Sequence, residues 1–207
     1  MTLRTLHRTS AILIAVFACF HIANHLAGLT GVAAHVAFMD NARLVYRNVV
    51  VEIVLLWCVA FQVGSGLTLA LRGWRQRRGF VPWLQALSGL YLSFFLLVHV
   101  SAILSGRILL NLDTNLYFAA AGFHVPPYPF FFVPYYFLAV VALFAHLGCA
   151  AYWQVQHRSG RTRVLVIAIP TSVAVVVALL IVLLLAGKLQ PFEVPAKYKA
   201  TYGVPAR

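Results

Sequence analysis

The chain alternates between long apolar stretches and short polar segments, and the apolar stretches number five. Each is close to the roughly 20 residues that an α-helix needs to cross about 30 Å of hydrocarbon at about 1.5 Å per residue. The pattern therefore predicts an all-α integral membrane bundle of five transmembrane helices. We place the spans at residues 10–30, 49–71, 83–105, 131–153 and 164–186.

The composition agrees with this interpretation. With 62% hydrophobic and 10% charged residues, the chain has too little polar surface to cover a water-soluble domain. We therefore expect one transmembrane domain over residues 1–207, with membrane lipid as its main surroundings. The first span follows a basic segment, as a signal peptide does, but its apolar run is too long and contains His21, Asn24 and His25. We interpret it as a mature helix.

The arginines predict the topology. A formal charge of +12 raises nucleic acid as a partner, but the basic residues lie where membrane topology would place them, so we expect no nucleic acid. Five spans put three arginine clusters on one side, and the positive-inside rule then places the N-terminus in the cytoplasm and the C-terminus outside. We expect a multi-pass protein of the cell (inner) membrane. The clusters are Arg4 and Arg8; Arg72, Arg75, Arg77 and Arg78; and Arg158, Arg161 and Arg163.

The connecting segments predict little further chemistry. We expect a loop between the first two spans, and a cap over the outer face from the longest connection, residues 107–129. The tail from Lys188 onward is either an ordered surface strap or a loose end. The cysteines Cys19, Cys58 and Cys149 lie inside spans without the paired spacing of a zinc site or a disulfide framework, so packing is their expected role.

Polar side chains inside the spans are the main functional signal. Such groups cost several kcal/mol at membrane depth unless they are partnered, so they mark functional sites by default. The fifth span has no histidine, glutamine or asparagine. The strongly polar residues of the other spans are His21, Asn24 and His25 in the first, Gln62 in the second, His99 in the third and His146 in the fourth.

Depth along the helices sorts these residues into two pairs. At about 1.5 Å per residue, His21 and His99 both lie roughly 20 to 25 Å from the cytoplasmic edge, in the outer half of the bilayer. The same reasoning places Gln62 and His146 in the inner half. The bundle is therefore expected to carry an outer histidine pair and an inner pair of histidine and glutamine.

Two neutral imidazoles from facing helices are what a six-coordinate b-type haem requires in an apolar bundle. We therefore identify His21, His99 and His146 as candidate iron ligands of haem b. For a single intramembrane histidine, a hydrogen bond to a carbonyl of a neighbouring helix is the alternative. The shared depth of His21 and His99 favours ligation for that pair.

Other residues are candidates for secondary roles. His25, one turn beyond His21, is expected to bond a haem propionate, a quinone or a loop, or to replace His21 as ligand. Arg43, Arg47 and Arg107 either pair with the outer propionates or serve as ordinary interfacial anchors. The remaining histidines lie in or beside predicted loops, where a solvated side chain is the default. They are His7, His35, His124 and His157.

Four segments together resemble a known family. They are LHRTSAILIAVFACFHIANHLAG; the FMD segment with YRNVVVEIVLLWCVAFQVGSG; LQALSGLYLSFFLLVHV; and PYYFLAVVALFAHLGCAAYW. In this order they resemble the five-helix, two-haem cytochrome b subunit that anchors succinate dehydrogenase and fumarate reductase. The resemblance covers about residues 6–153, and the fifth span matches only as a plain apolar helix.

The resemblance implies a set of ligands. In that family the first and third helices hold the outer haem, and the second and fourth hold the inner one. His21 and His99 match the outer ligands and His146 matches the fourth, whereas Gln62 stands where the family has histidine. Because glutamine is a poor haem ligand, the inner haem is absent, is five-coordinate through His146, or is replaced by a quinone or lipid headgroup.

The leading functional hypothesis is a membrane b-type cytochrome that passes electrons between a soluble redox partner and the quinone pool. The resemblance implies an anchor subunit, with flavoprotein and iron–sulfur subunits docked on the cytoplasmic face. This chain has no motif for either cofactor and no catalytic site for dicarboxylate chemistry. The alternative is a solitary membrane protein of the same fold, with one haem or none, in lipid handling or complex assembly.

Overall fold

A computed structural model describes residues 2–203, and this part of the chain folds as helices without strands. Five of the helices are long and apolar enough to span a membrane, as the hydrophobic pattern predicts. The helices are α1 (Leu3–Ala27), α2 (Val32–Tyr46), α3 (Val49–Arg72), α4 (Phe80–Ile108), α5 (Leu116–Ala120), α6 (Pro129–Gln154), α7 (Gly160–Leu185) and α8 (Ala196–Lys199).

The long helices are α1, α3, α4, α6 and α7. Several begin at a polar residue whose side-chain oxygen accepts a hydrogen bond from a free backbone N–H of the first turn. Thr2 caps α1 in this way, Asn48 caps α3 and Ser159 caps α7. Several helices begin or end a few residues outside the predicted spans. Their first and last turns include polar residues, which the hydropathy pattern leaves out of a span although the helical backbone continues through them.

The prediction of a loop between the first two spans is wrong, because residues 32–46 form α2. This helix packs along the end of α1, and its buried side chains are His35 and Met39. The expectation that His35 is solvated is therefore also wrong, since it is only 2% exposed. A segment of 15 residues that contains Asp40 and Arg43 is too short and too polar to be recognised as a span from hydropathy.

The long helices pack in a closed sequence. α1 packs on α3, α3 on α4, α4 on α6 and α6 on α7, and α7 returns to contact α1. Small residues allow the closest of these contacts, between α6 and α7: a side chain at Gly148 would meet the backbone of Ile167 and Val166 at 3.0 Å. Gly148 therefore serves helix packing.

One end of the bundle is covered, and we call it the capped end. It carries α2, α5 and the C-terminal segment with α8. Val194 and Tyr198 of this segment are buried against Leu116 and Leu185, so the tail is an ordered strap up to residue 203. The opposite end, here called the arginine end, carries the start of α1 and the connections from α3 to α4 and from α6 to α7.

Candidate functional site

Two histidines from different helices meet inside the bundle. The imidazole rings of His21 on α1 and His99 on α4 have centroids 5.9 Å apart and planes inclined by 70°. α1 and α4 do not pack closely against each other, so the two side chains bridge the helices at this level. Neither ring has a hydrogen-bond partner among the described residues. The structure therefore brings together His21 and His99, which were predicted to form a pair because they share the same depth in the bilayer.

Two further histidines extend this pair towards the capped end. The His25 ring lies 4.9 Å from that of His21, and the His35 ring lies 5.3 Å from that of His25. The Nδ2 atom of Asn24 is 3.3 Å from Nε2 of His35. We call His21, His25, His35 and His99 the outer cluster, with Asn24 as its amide neighbour.

The outer cluster has buried polar atoms without partners. They are Oδ1 of Asn24, Nδ1 of His25 and Nδ1 of His35. Because the Asn24 amide donates to Nε2 of His35 as placed, the His35 ring carries its hydrogen on Nδ1, and this donor has no acceptor. Buried polar groups are nearly always bonded, so three unpartnered atoms around one cluster point to a ligand or ordered water at this place.

Aromatic rings hold the pair in orientation. Phe17 stacks on His21 with centroids 5.7 Å apart, and Phe95 stacks on His99 at 5.0 Å. A cavity of about 20 Å³, which is room for about one water molecule, lies between α1 and α2 and is lined in part by His21 and Asn24.

The electrostatic surroundings keep His35 neutral. Burial lowers the pKa of His35 from 6.5 to about 4, and repulsion from the His21 imidazole, when it is protonated, and from the Arg43 guanidinium contributes to this shift. At neutral pH the ring is therefore uncharged and can keep its hydrogen bond with Asn24.

The three arginines proposed for propionates each have a protein partner. Arg43 donates to Asp113 at 2.6 Å and to Asp40 at 3.3 Å. Arg47 donates to the Thr114 hydroxyl at 3.1 Å. Arg107 forms an ion pair with Glu52 through both of its terminal nitrogens. These pairs connect α2, α3, α4 and the following connection at the capped end. A propionate at Arg43 would compete with Asp113.

The histidine expected in the inner half, His146, has a defined partner. Its Nδ1 lies 3.0 Å from the backbone oxygen of Gln85 and 3.2 Å from the Ser88 hydroxyl. A carbonyl oxygen only accepts, so Nδ1 carries the ring hydrogen and Nε2 has a free lone pair. The ring lies against Gly89, where an added side chain would meet its Cε1 at 3.0 Å.

The side chain of Gln62 is hydrogen-bonded to α1. Its Nε2 donates to the backbone oxygen of His7 at 2.7 Å and to the Ser10 hydroxyl at 2.6 Å. These bonds hold the start of α1 against α3. The amide nitrogen of Gln62 thus faces α1, while the described bonds of His146 go to α4.

His7 is a polar residue of this region that the sequence reasoning assigned to a loop. It lies in α1 and is partly buried, and its Nδ1 is 2.7 Å from the hydroxyl of Ser65. The sequence spacing could have indicated this position, because His7 and His21 are fourteen residues apart and such residues lie on nearly the same face of a helix.

Two imidazoles from different helices are a donor set that a haem iron accepts, since haem needs only two ligands from the protein. Across residues 2–203, no group of three or more His, Cys, Asp or Glu side chains is arranged to hold a metal ion. Two imidazoles on opposite faces of one iron have centroids about 6 Å apart, since each metal–nitrogen bond is about 2 Å and each nitrogen is about 1 Å from its centroid. The 5.9 Å between His21 and His99 agrees with this distance.

Comparison with family models, curated proteins and solved structures gave no match for this chain. The functional argument therefore depends on the geometry of the described residues.

Proposed function

We propose that the chain is a membrane b-type cytochrome, with His21 and His99 as the axial ligands of one haem b. The observation that carries this proposal is the meeting of the two rings from α1 and α4, at a centroid distance of 5.9 Å, although these helices do not pack closely. The unpartnered atoms of Asn24, His25 and His35 support it, because they are buried beside the pair and lack the partners that a bound group would provide.

The residues of the chain would hold and tune the group. The haem supplies one-electron chemistry, and the protein controls its potential through axial ligands, nearby hydrogen bonds and burial. Phe17 and Phe95 fix the planes of the two imidazoles by stacking on them. His25 and His35 line the side nearest the capped end, where a propionate would provide acceptors for ring N–H groups.

The proposed orientation puts the arginine end in the cytoplasm. The arginines of this end have no acidic residue near them in sequence, whereas all four acidic residues, Asp40, Glu52, Asp113 and Glu193, belong to segments of the capped end. This asymmetry is typical of the positive-inside rule and supports a cell (inner) membrane protein with an outside C-terminus.

The proposed role is electron transfer between a soluble partner and the quinone pool. The basic arginine end suits a partner with an acidic docking surface, as flavoprotein and iron–sulfur subunits of a succinate dehydrogenase or fumarate reductase type would need. A haem in the outer half would lie at a depth that a membrane quinone reaches from the lipid. Dicarboxylate chemistry would belong to the partners.

The visible spectrum of the purified protein tests this proposal. We would express the chain with a haem supply, purify it in detergent and record the dithionite-reduced minus oxidised spectrum. The proposal expects the sharp α band of a low-spin, six-coordinate b haem. A protein that remains colourless under these conditions and after incubation with hemin contradicts the electron-transfer role and leaves the alternative of a haem-free membrane protein.

A further inference from the structure

The arginines at the two ends of the bundle differ in their partners. At the capped end, Arg43, Arg47 and Arg107 each bond a carboxylate or a hydroxyl of the chain. The arginine end offers no carboxylate, because all four acidic residues belong to segments of the capped end. Every ion pair among residues 2–203 lies at the capped end. The positive charge of the arginine end is therefore left for a partner outside the chain.

Four arginines of this end lie within seven residues, in the connection between α3 and α4. They are Arg72, Arg75, Arg77 and Arg78. We call residues 72–83 the basic turn. The chain reverses at Gly79, whose φ of +85° is readily adopted by glycine, and α4 begins at the next residue. Clusters of roughly four to eight basic residues directly beside a membrane helix are typical of proteins that bind anionic lipid headgroups.

Arg77 stabilises one arrangement of the basic turn. The reversal of the chain brings Trp83 of α4 against Trp74, with ring centroids 4.9 Å apart and planes inclined by 87°. The guanidinium carbon of Arg77 lies 5.6 Å from the Trp74 ring centroid and 5.9 Å from that of Trp83, within the range of cation–π contacts. Its Nη2 donates to the backbone oxygen of Leu69 at 3.2 Å, near the end of α3. The turn is therefore ordered by contacts of its own.

Several donor groups of the basic turn remain without an acceptor. Nη1 of Arg77 is buried and has no hydrogen-bond partner among the described residues. The side chains of Arg72 and Arg75 are exposed and form no ion pair or hydrogen bond within residues 2–203. An arginine presents five N–H donors in a planar fork that matches the oxygens of a phosphate. The donors of the turn therefore suit a phosphate group.

Apolar side chains place the basic turn at the surface of the bilayer. Leu71 and Phe80 lie on either side of the arginines and are 68% and 74% exposed, at the ends of two helices that are able to span a membrane. Tryptophan is enriched at the level of the lipid headgroups, where its ring contacts lipid and its N–H contacts water. A turn with these three features lies at headgroup level, and the anion of that level is the lipid phosphate.

From these observations we infer that the basic turn binds the phosphate of an anionic phospholipid. Arg72 and Arg75 supply charge, and Arg77 supplies charge and orders the turn. A free phosphate ion has the same headgroup chemistry, but only a lipid also covers Leu71 and Phe80 with acyl chains. The inference does not depend on the proposed function, since it requires neither haem nor a redox partner. The arginines of the connection between α6 and α7 remain available to a soluble partner.

Native mass spectrometry of the detergent-purified, delipidated protein tests the inference. The protein would be titrated with phosphatidylglycerol, which is anionic, and with phosphatidylcholine of the same acyl chains, which has no net charge. We expect the first phosphatidylglycerol to bind more tightly than the first phosphatidylcholine. The double variant Arg72→Gln/Arg75→Gln should weaken phosphatidylglycerol binding by about 10- to 30-fold, because each basic residue near an anionic surface contributes a factor of about five. Its affinity for phosphatidylcholine should not change.

Arg158→Gln/Arg161→Gln is the matched control. It also removes two exposed arginines from the arginine end, so the loss of net charge is the same. The affinity for the first phosphatidylglycerol should stay at the wild-type value. Arg77→Lys is a second test variant, because it keeps the charge but removes the planar fork. It should weaken phosphatidylglycerol binding while circular dichroism shows an unchanged helix content.

The outcomes separate this inference from the proposed function. Equal affinities of the wild-type protein for the two lipids overturn the inference, and so do equal losses in Arg72→Gln/Arg75→Gln and in the control. Inorganic phosphate that displaces phosphatidylglycerol at equal concentration would show a site for free phosphate and overturn the assignment to lipid. A colourless protein that prefers phosphatidylglycerol as expected contradicts only the haem proposal.

Discussion

The rings of His21 and His99 have centroids 5.9 Å apart, although the helices that carry them, α1 and α4, do not pack closely. Side chains alone therefore bridge this part of the bundle. Close helix packing would use small residues at such a position, as it does at Gly148 between α6 and α7. Two imidazoles that meet from helices without close packing are instead the arrangement that a pair of ligands to one group needs, and this relationship supports the proposed haem site.

The ion pair between Arg107 and Glu52 should stabilise the capped end. It joins the last turn of α4 to the first turn of α3, with both side chains only partly exposed. We expect Glu52→Gln to lower the free energy of unfolding by about 1–2 kcal/mol, because a charge-assisted bidentate bond is replaced by a neutral one. A thermal melt in detergent should show a decrease in Tm of a few degrees.

Asp40→Asn provides the control for that measurement. Asp40 pairs with Arg43 within one helix, and its side chain is 59% exposed. Solvent screens such a pair, so the expected change in Tm is near zero. Equal losses in Glu52→Gln and Asp40→Asn would contradict a specific role for the Arg107 pair.

His35 should make stability depend on pH. Burial lowers its pKa to about 4 in the folded protein, against 6.5 in the unfolded chain, so the unfolded chain binds more protons between these values. The contribution of neutral His35 is complete above about pH 6.5 and is lost as the pH falls towards 4. Tm should therefore decrease on acidification, and decrease less in His35→Gln. Parallel curves for wild type and His35→Gln, with His157→Gln as control, would show that His35 titrates normally.

The strap at the capped end should depend on Tyr198. This side chain is 2% exposed, and its hydroxyl accepts a hydrogen bond from Asn115 at 3.1 Å. Tyr198→Ala should cost about 3–5 kcal/mol by leaving a cavity, and Tyr198→Phe about 1 kcal/mol by removing the bond. Limited proteolysis would measure release of the strap. Rapid cleavage is expected in the alanine variant, and equal cleavage rates in both variants would count against aromatic packing as the main anchor.

The charge asymmetry predicts the topology. A reporter fused after Arg78, in the connection between α3 and α4, should be active only as a cytoplasmic reporter. One fused after Asp113 should be active only as a periplasmic or extracellular one, because α4 separates the two positions. Replacing Arg75, Arg77 and Arg78 with glutamine should weaken this preference. The reverse pattern of reporter activity would show that the orientation in the membrane is opposite to the proposed one.

Apolar length was sufficient to predict the membrane helices. The apolar run of α7 is about as long as the hydrocarbon core of a bilayer is thick and contains no charged side chain, so hydropathy alone identifies it as a membrane span. α2 was missed because its apolar side is narrow, and only the burial of His35 and Met39 in the folded chain reveals which side faces α1. The predicted meeting of His21 and His99 followed from depth, which sequence supplies for straight helices.

Hydrogen-bond partners could not be predicted in the same way. Depth gave Gln62 and His146 the same half of the bundle, but depth does not define which side of a helix faces which neighbour. Gln62 donates to α1, and His7 takes a partly buried position beside Ser65. These contacts depend on rotation and packing of the helices, and residue spacing within a single helix carries little information about either.

Ligand replacement at His99 tests the central claim most directly. We would record visible and electron paramagnetic resonance spectra of His99→Ala, with and without added imidazole, beside those of the wild-type protein. Loss of one axial ligand should convert the remaining haem from low spin to high spin, and free imidazole should restore the low-spin spectrum by occupying the vacated position. A haem that stays low-spin in His99→Ala without imidazole would contradict ligation of the outer haem by His99.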